Sequence, residues 1–165
     1  MTTSLISNNA DFLPIFQKAF QCYRTLTSID ISEYEKGDAQ LVFPVLPVPM
    51  FTKLCVTASQ IFRKEPVVLN LPINDISDDP EKNPNAIIVI GDIHGHILDL
   101  LRILRKFGYP PKQSYLFLGD IVDRGSFSTE TAILILLLKV LWPKYIYVIR
   151  GNHEFSEMWD KSGFQ

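Results

Sequence analysis

The spacing of apolar residues changes character near the middle of the chain. Over residues 11–27, Phe12, Ile15, Phe16, Phe20 and Tyr23 recur every three or four positions. That spacing predicts an amphipathic helix, for which Asn9 or Asp11 is a suitable cap. Residues 41–50, "LVFPVLPVPM", hold too many prolines for a regular element and predict an extended tether. Helical spacing returns over 50–64, through Met50, Leu54, Cys55, Ala58, Ile61 and Phe62, until Pro66 stops it. "VVLNL" (67–71) is a candidate strand. "NDISDDPEKNPN" (74–85), acidic and with two prolines, reads as a surface loop. The chain shows no internal repeat and no low-complexity tract.

From residue 86 the pattern is regular. "AIIVI" (86–90), "SYLFL" (114–118) and "YIYVI" (145–149) are short continuous apolar runs. Between them lie "ILDLLRILRKFG" (97–108) and "STETAILILLLKVLW" (128–142). Both intervening segments have helical patterns. The first ends at Gly108; the second has Ser128 as a candidate N-cap and Glu130 in its first turn. The order is β-α-β-α-β. Continuous apolar strands separated by helices predict an α/β fold with a parallel sheet and right-handed crossovers.

Composition narrows the class. Of 165 residues 47% are apolar, which is enough for a packed core. The net charge of −2, from 16 basic and 18 acidic residues, gives no electrostatic reason to expect a nucleic-acid or membrane partner. Cys22 and Cys55 are too few for a disulfide framework or a thiolate zinc site and suit a reducing compartment. The first residues lack the basic start and apolar run of a signal peptide. The apolar run from Ala132 to Leu138 is too short to span a bilayer. The expectation is a soluble protein of the cytoplasm, with the nucleus as the alternative.

The chemistry lies where the three apolar runs end. They close in "GDIHGH" (91–96), "GDIVDRG" (119–125) and "RGNHE" (150–154). Ligands of parallel α/β sheets bind beyond the carboxyl ends of the strands, so three strands would deliver polar side chains to one crevice. Carboxylate, imidazole and amide oxygen without thiolate suit Mn, Fe or Zn in a reactive site. Asp92 and His94, two residues apart, can point the same way. Asp120 is placed to bridge, and Asn152 to offer an amide oxygen to a second metal. Asp123 can orient a histidine, His153 can donate a proton, and Arg124 can fork a phosphate. Taken singly, each motif also fits an ordinary turn, an ion pair or a cap, and His96 fits the first turn of a helix. It is their repetition at equivalent places after three strands that argues for a site.

These clusters, in this order, resemble the signature of the phosphoprotein phosphatase family of serine/threonine protein phosphatases, which are calcineurin-like metallophosphoesterases. "PVLPVPMFTKLCVTASQIFRKEPVVLNL", "DLLRIL", "YLFLGDIVDRG" and "STET…LLLKVLWPKYIYVIRGNHE" extend the resemblance over roughly residues 43–165. It implies that Asp92 and His94 bind a first metal, that Asp120 bridges, and that Asn152 binds a second. It implies that His153, held by Asp123, protonates the leaving serine or threonine oxygen, that Arg124 binds phosphate, and that a metal-activated water attacks phosphorus in line. Phosphoproteins are the implied substrates, with regulatory subunits as further partners. Two metals roughly 3.5–4 Å apart can stabilise attacking and leaving oxygens together.

The sequence departs from the family at His96, where glutamine is usual, and at Ile121, where tyrosine is frequent. The family also completes its second metal with two later histidines and carries a later phosphate-binding arginine. Here the only histidines are His94, His96 and His153. The expected architecture is therefore the N-terminal half of the fold, with preceding helices and the second sheet missing. Residues 1–42 form a helical extension and 43–165 a partial catalytic domain. The second metal site is incomplete, so the isolated chain is expected to have little or no activity. A dinucleoside polyphosphate hydrolase and a non-catalytic scaffold that retains one metal site are the competing readings.

Overall fold

The computed structural model describes residues 12–28, 34, 36–37, 40–71 and 86–162. The acidic stretch 74–85, Asn9 and Asp11 lie outside them. Helix α1 runs Leu13–Leu26. Its cap position is Phe12, without a side-chain hydrogen bond, and a proline in the first turn pre-sets the backbone. After an extended stretch, helix α2 (Val48–Phe62) also starts on a proline in its first turn. Strand β1 (Ile87–Ile90), helix α3 (Ile97–Phe107), strand β2 (Ser114–Phe117), helix α4 (Ser128–Leu141) and strand β3 (Ile146–Val148) then alternate. A 3₁₀ turn (Asn152–Glu154) and helix α5 (Ser156–Ser162) follow. Among the described residues no helix is long and apolar enough to cross a membrane.

The sheet is parallel, in the order β1-β2-β3. Sequential order with right-handed crossovers places α3 and α4 on the same face. Exposure shows which face that is. Ile90, Tyr115, Phe117 and Ile146 are buried, whereas the intervening Val89 is 58%, Leu118 41% and Ile149 45% exposed. A period of two thus divides each run into a covered and a bare face.

Helix α4 is the hub of the packing. Its apolar run touches the sheet on one side and α1 and α2 on the other, so Ile133, Leu134, Ile135, Leu137 and Leu138 are all buried. A helix apolar nearly all round is one covered nearly all round. On α1, Phe16, Ala19, Phe20, Tyr23 and Leu26 share one stripe and enter the same core. Phe20 packs edge-on against Trp142, and the Tyr23 hydroxyl donates to the Glu130 carbonyl at 3.0 Å.

Lys139 is buried within this layer. Its ammonium donates to the Ile146 carbonyl at 2.6 Å and to the Glu65 carboxylate, and lies 5.2 Å from the centre of the Phe62 ring. The charge is thus paired and hydrogen-bonded, the condition under which a buried ammonium is tolerated. It ties the end of α2 to α4 and β3.

The expected strand at 67–71 does not form. Val67 and Val68 are exposed, and Leu69 and Leu71 line a groove beside Leu116 and Val148 without joining the sheet. A β-branched run favours extended backbone, but a strand also needs a free edge in register, and Pro66 removes a donor at the entry.

Burial raises the pKa values of both Tyr23 and Tyr115 well above the ordinary phenol value, the charge of Glu130 adding to the effect at Tyr23 and Tyr109 at Tyr115. The fold holds both phenols neutral. Their contribution to stability is therefore complete below about pH 10 and lost as pH climbs beyond it towards the folded values. Alkaline titration followed by tyrosinate absorbance should show two late-ionising tyrosines whose ionisation coincides with loss of the circular dichroism signal.

Candidate metal centre

Because the strands are parallel, the loops after β1, β2 and β3 emerge at one end of the sheet. The first two are joined by backbone. The Asp120 carbonyl accepts N–H bonds from Ile93 at 3.0 Å and His94 at 2.9 Å, Gly95 donates to the Ile121 carbonyl at 2.7 Å, and Gly125 donates to His94 at 2.7 Å. The approach is close enough to force unusual conformations. His94, Asp120, Asp123 and Arg124 all have positive φ, at 47°, 47°, 70° and 65°. Four such non-glycine residues in one region are uncommon and cluster at functional sites.

Glycine is needed at the tightest crossing. Gly119 has φ 93°, and a Cβ there would fall 2.0 Å from the Gly151 nitrogen. The loops after β2 and β3 therefore touch through backbone atoms.

Three of the expected ligands converge. One ligand atom each from Asp92, His94 and Asp120 lies within 4.8 Å of the others. Asp92 is exposed, His94 is buried, and Asp120 is 9% exposed. The His94 ring is oriented by Nδ1, which lies 2.8 Å from the Val122 carbonyl. A carbonyl only accepts, so Nδ1 carries the hydrogen and Nε2 presents a lone pair. Nε2 is buried without a hydrogen-bond partner and lies 3.7 Å from an Asp92 carboxylate oxygen. An orphaned imidazole nitrogen beside two carboxylates is a donor set suited to a divalent cation.

Next to this group, His153 Nδ1 meets the Asp123 carboxylate at 2.8 Å, with both side chains buried. The Asp123 oxygen accepts, which leaves Nε2 of His153 as the nitrogen free to exchange a proton. The His153 ring stands edge-on to that of His94, with centroids 4.7 Å apart. The backbone N–H of His153 donates to Asp120 Oδ1 at 2.8 Å. Arg124 and Asn152 are exposed at the rim, on the loop after β2 and at the head of the 3₁₀ turn. His96 is exposed at the cap position of α3 and is not one of the converging residues.

Two contributors escape sequence reasoning. Ser128 is not the N-cap of α4, a position held by Phe127. Its hydroxyl instead accepts the Asp123 N–H at 2.9 Å. Glu154 accepts N–H bonds from Asp120, Ile121 and Gly151 at 2.8, 2.7 and 2.9 Å. Ser128 could be flagged only as a polar residue at a helix start; Glu154 had no signal beyond its place in the third cluster.

Residues 86–165, which carry the three strands and this donor set, match the model of the calcineurin-like phosphoesterase family. The serine/threonine-protein phosphatase PP2A-like PPG1 of Candida albicans is 39% identical over 120 residues, 73% of this chain and 26% of the relative. A solved protein serine/threonine phosphatase from Saccharomyces cerevisiae, with similarity to human phosphatase PP5, superposes with a TM-score of 0.63 at 38% identity. That match covers 81% of this chain and 41% of the other. The chain is thus similar to serine/threonine protein phosphatases and contains a calcineurin-like phosphoesterase match; it spans about a quarter and two fifths of the lengths of these two relatives.

The interlocked glycines give a test of the geometry. Gly119→Ala should cost about 2 kcal/mol or more in urea denaturation, because the new methyl meets backbone at a positive φ. Gly91→Ala, with nothing within 4 Å of its Cβ position, should change stability by less than about 0.5 kcal/mol.

Proposed function

We propose that residues 43–165 supply the first half of a dinuclear metal site for hydrolysis of phosphoserine and phosphothreonine in proteins, with residues 1–42 as an extension whose helix packs on it. The observation that carries this reading is the convergence of Asp92, Asp120 and the orphaned Nε2 of His94. These residues would hold one divalent ion; Asp120 and Asn152 would supply two ligands to another. When bound, such ions supply Lewis-acid stabilisation of phosphoryl oxygens.

The remaining residues have separable tasks. Arg124, exposed at the rim, offers a planar fork to the non-bridging phosphate oxygens. Asp123 keeps the hydrogen of His153 on Nδ1, so that Nε2 can pass a proton to the departing serine or threonine oxygen. General acid catalysis of this kind contributes about 10²–10⁴-fold, far below the accelerations of up to ~10²¹ known for phosphate-monoester hydrolysis. The larger share would therefore have to come from the ions that Asp92, His94, Asp120 and Asn152 would hold, with Arg124 beside them. The serine/threonine phosphatases among the relatives favour a protein substrate over a dinucleoside polyphosphate.

Titration calorimetry of the 165-residue chain tests the reading. Mn²⁺ should bind, and His94→Ala or Asp92→Asn should weaken it by about tenfold or more, the loss of one ligand from three. In the Mn²⁺-loaded chain, Arg124→Ala should weaken inorganic phosphate binding by about tenfold, equal to 1.4 kcal/mol. Hydrolysis of a small aryl phosphate should stay near background, since among the described residues only Asp120 and Asn152 are assigned to the second ion. Failure of the wild-type chain to bind Mn²⁺ would overturn the proposal.

A further inference from the structure

Besides the strand hydrogen bond from Ile149 N–H to Phe117, the hydrogen bonds among the described residues that join the loop after β2 to the loop after β3 all end on carboxylates. Asp120 and Asp123 face the candidate metal and acid groups. Glu154 faces neither. It is the last residue of the 3₁₀ turn, and its two oxygens take three backbone N–H groups: Asp120 and Gly151 on Oε2, Ile121 on Oε1.

Two of the three amides belong to strained or crowded backbone. Asp120 sits at φ 47°. Gly151 packs so close that a Cβ on it would lie 2.3 Å from both the Asp120 nitrogen and its Oδ1. The carboxylate thus spans the two loops where they touch and pulls Asp120 inward from behind. In front, the Asp120 side chain accepts the His153 N–H on Oδ1 and joins Asp92 and His94.

We propose that Glu154 is a positioning residue that sets the divalent-metal affinity of the centre by clamping Asp120 through its backbone. The inference rests on the reading of Asp92, His94 and Asp120 as a metal site. It assigns Glu154 no contact with metal or substrate. An amide in its place keeps one accepting oxygen and loses the other together with the charge, so glutamine retains part of the clamp and alanine none.

Mn²⁺ affinity of the 165-residue chain is the first readout, measured beside thermal stability. Glu154→Ala should weaken binding by about 10–100-fold, the range found when groups that orient metal ligands are removed. Glu154→Gln should recover part of that loss. The second readout needs no metal. Amide exchange at Asp120, Ile121 and Gly151 should quicken in Glu154→Ala, while amides within β2 keep their protection. Wild-type Mn²⁺ affinity in a folded Glu154→Ala would overturn the proposal while leaving the metal site standing. If the alanine variant does not fold, glutamine carries the test, and unchanged affinity together with unchanged exchange there overturns it. A wild-type chain that binds no Mn²⁺ would overturn both the site and this inference.

Discussion

The loop after β2 makes the site possible, and Asp120 is the residue on which it turns. Its carbonyl holds the first loop through Ile93 and His94, its carboxylate holds the third through His153, and its own N–H is held by Glu154. Magnitudes show why the holding groups include carboxylates. A non-glycine residue at positive φ costs on the order of 1–3 kcal/mol. A neutral hydrogen bond returns about 0.5–1.5 kcal/mol, one to a charged group about 1.5–3. One neutral bond does not secure such a residue; a charged acceptor taking several amides does. The strain at His94, Asp120, Asp123 and Arg124 persists because the three loops over-determine one another.

The scaffold beneath is asymmetric. Both crossover helices lie on the same face, and α1 and α2 thicken that side. The opposite face shows Val89, Leu118 and Ile149 to solvent. Parallel sheets are ordinarily covered on both faces. The relatives are longer than the part matched here, the chain spanning 26% of one and 41% of another. What the described residues do complete is the layer that aims the loops: helix α4, apolar nearly all round, fixes the sheet from below while its first turn holds Asp123 through Ser128.

Much of this could be read from the residues. The three apolar runs became strands within a residue or two of their expected ends, because each is short, continuous and bounded by turn residues. Their polar sequels met at one end because parallel topology leaves no other place. Legibility failed where structure depends on partners far along the chain. "VVLNL" has the composition of a strand, but composition does not reveal whether an edge awaits it. Ser128 fits the rule for a cap, yet its hydroxyl is taken by Asp123, five residues earlier. Lys139 interrupts an apolar run as if it faced solvent; its burial depends on Glu65, 74 residues away, which no local pattern discloses.

The two buried histidines show how similar local devices yield different chemistry. Each ring is fixed by an acceptor at Nδ1, which leaves Nε2 to act. For His94 the acceptor is the neutral Val122 carbonyl, and Nε2 is sealed from water beside Asp92 and Asp120. The ring presents a lone pair without a hydrogen-bond partner, as a metal ligand should. For His153 the acceptor is the Asp123 carboxylate. A negative charge there can accompany a proton that comes to Nε2 and leaves again. The rings stand edge to face at 4.7 Å, so the proposed ligand and the proposed proton carrier sit side by side, distinguished by what lies behind each ring. Val122 and Asp123 are neighbours on the loop after β2. One short turn therefore supplies both acceptors, and whatever holds that turn also holds the orientation of the two histidines on which their proposed roles depend.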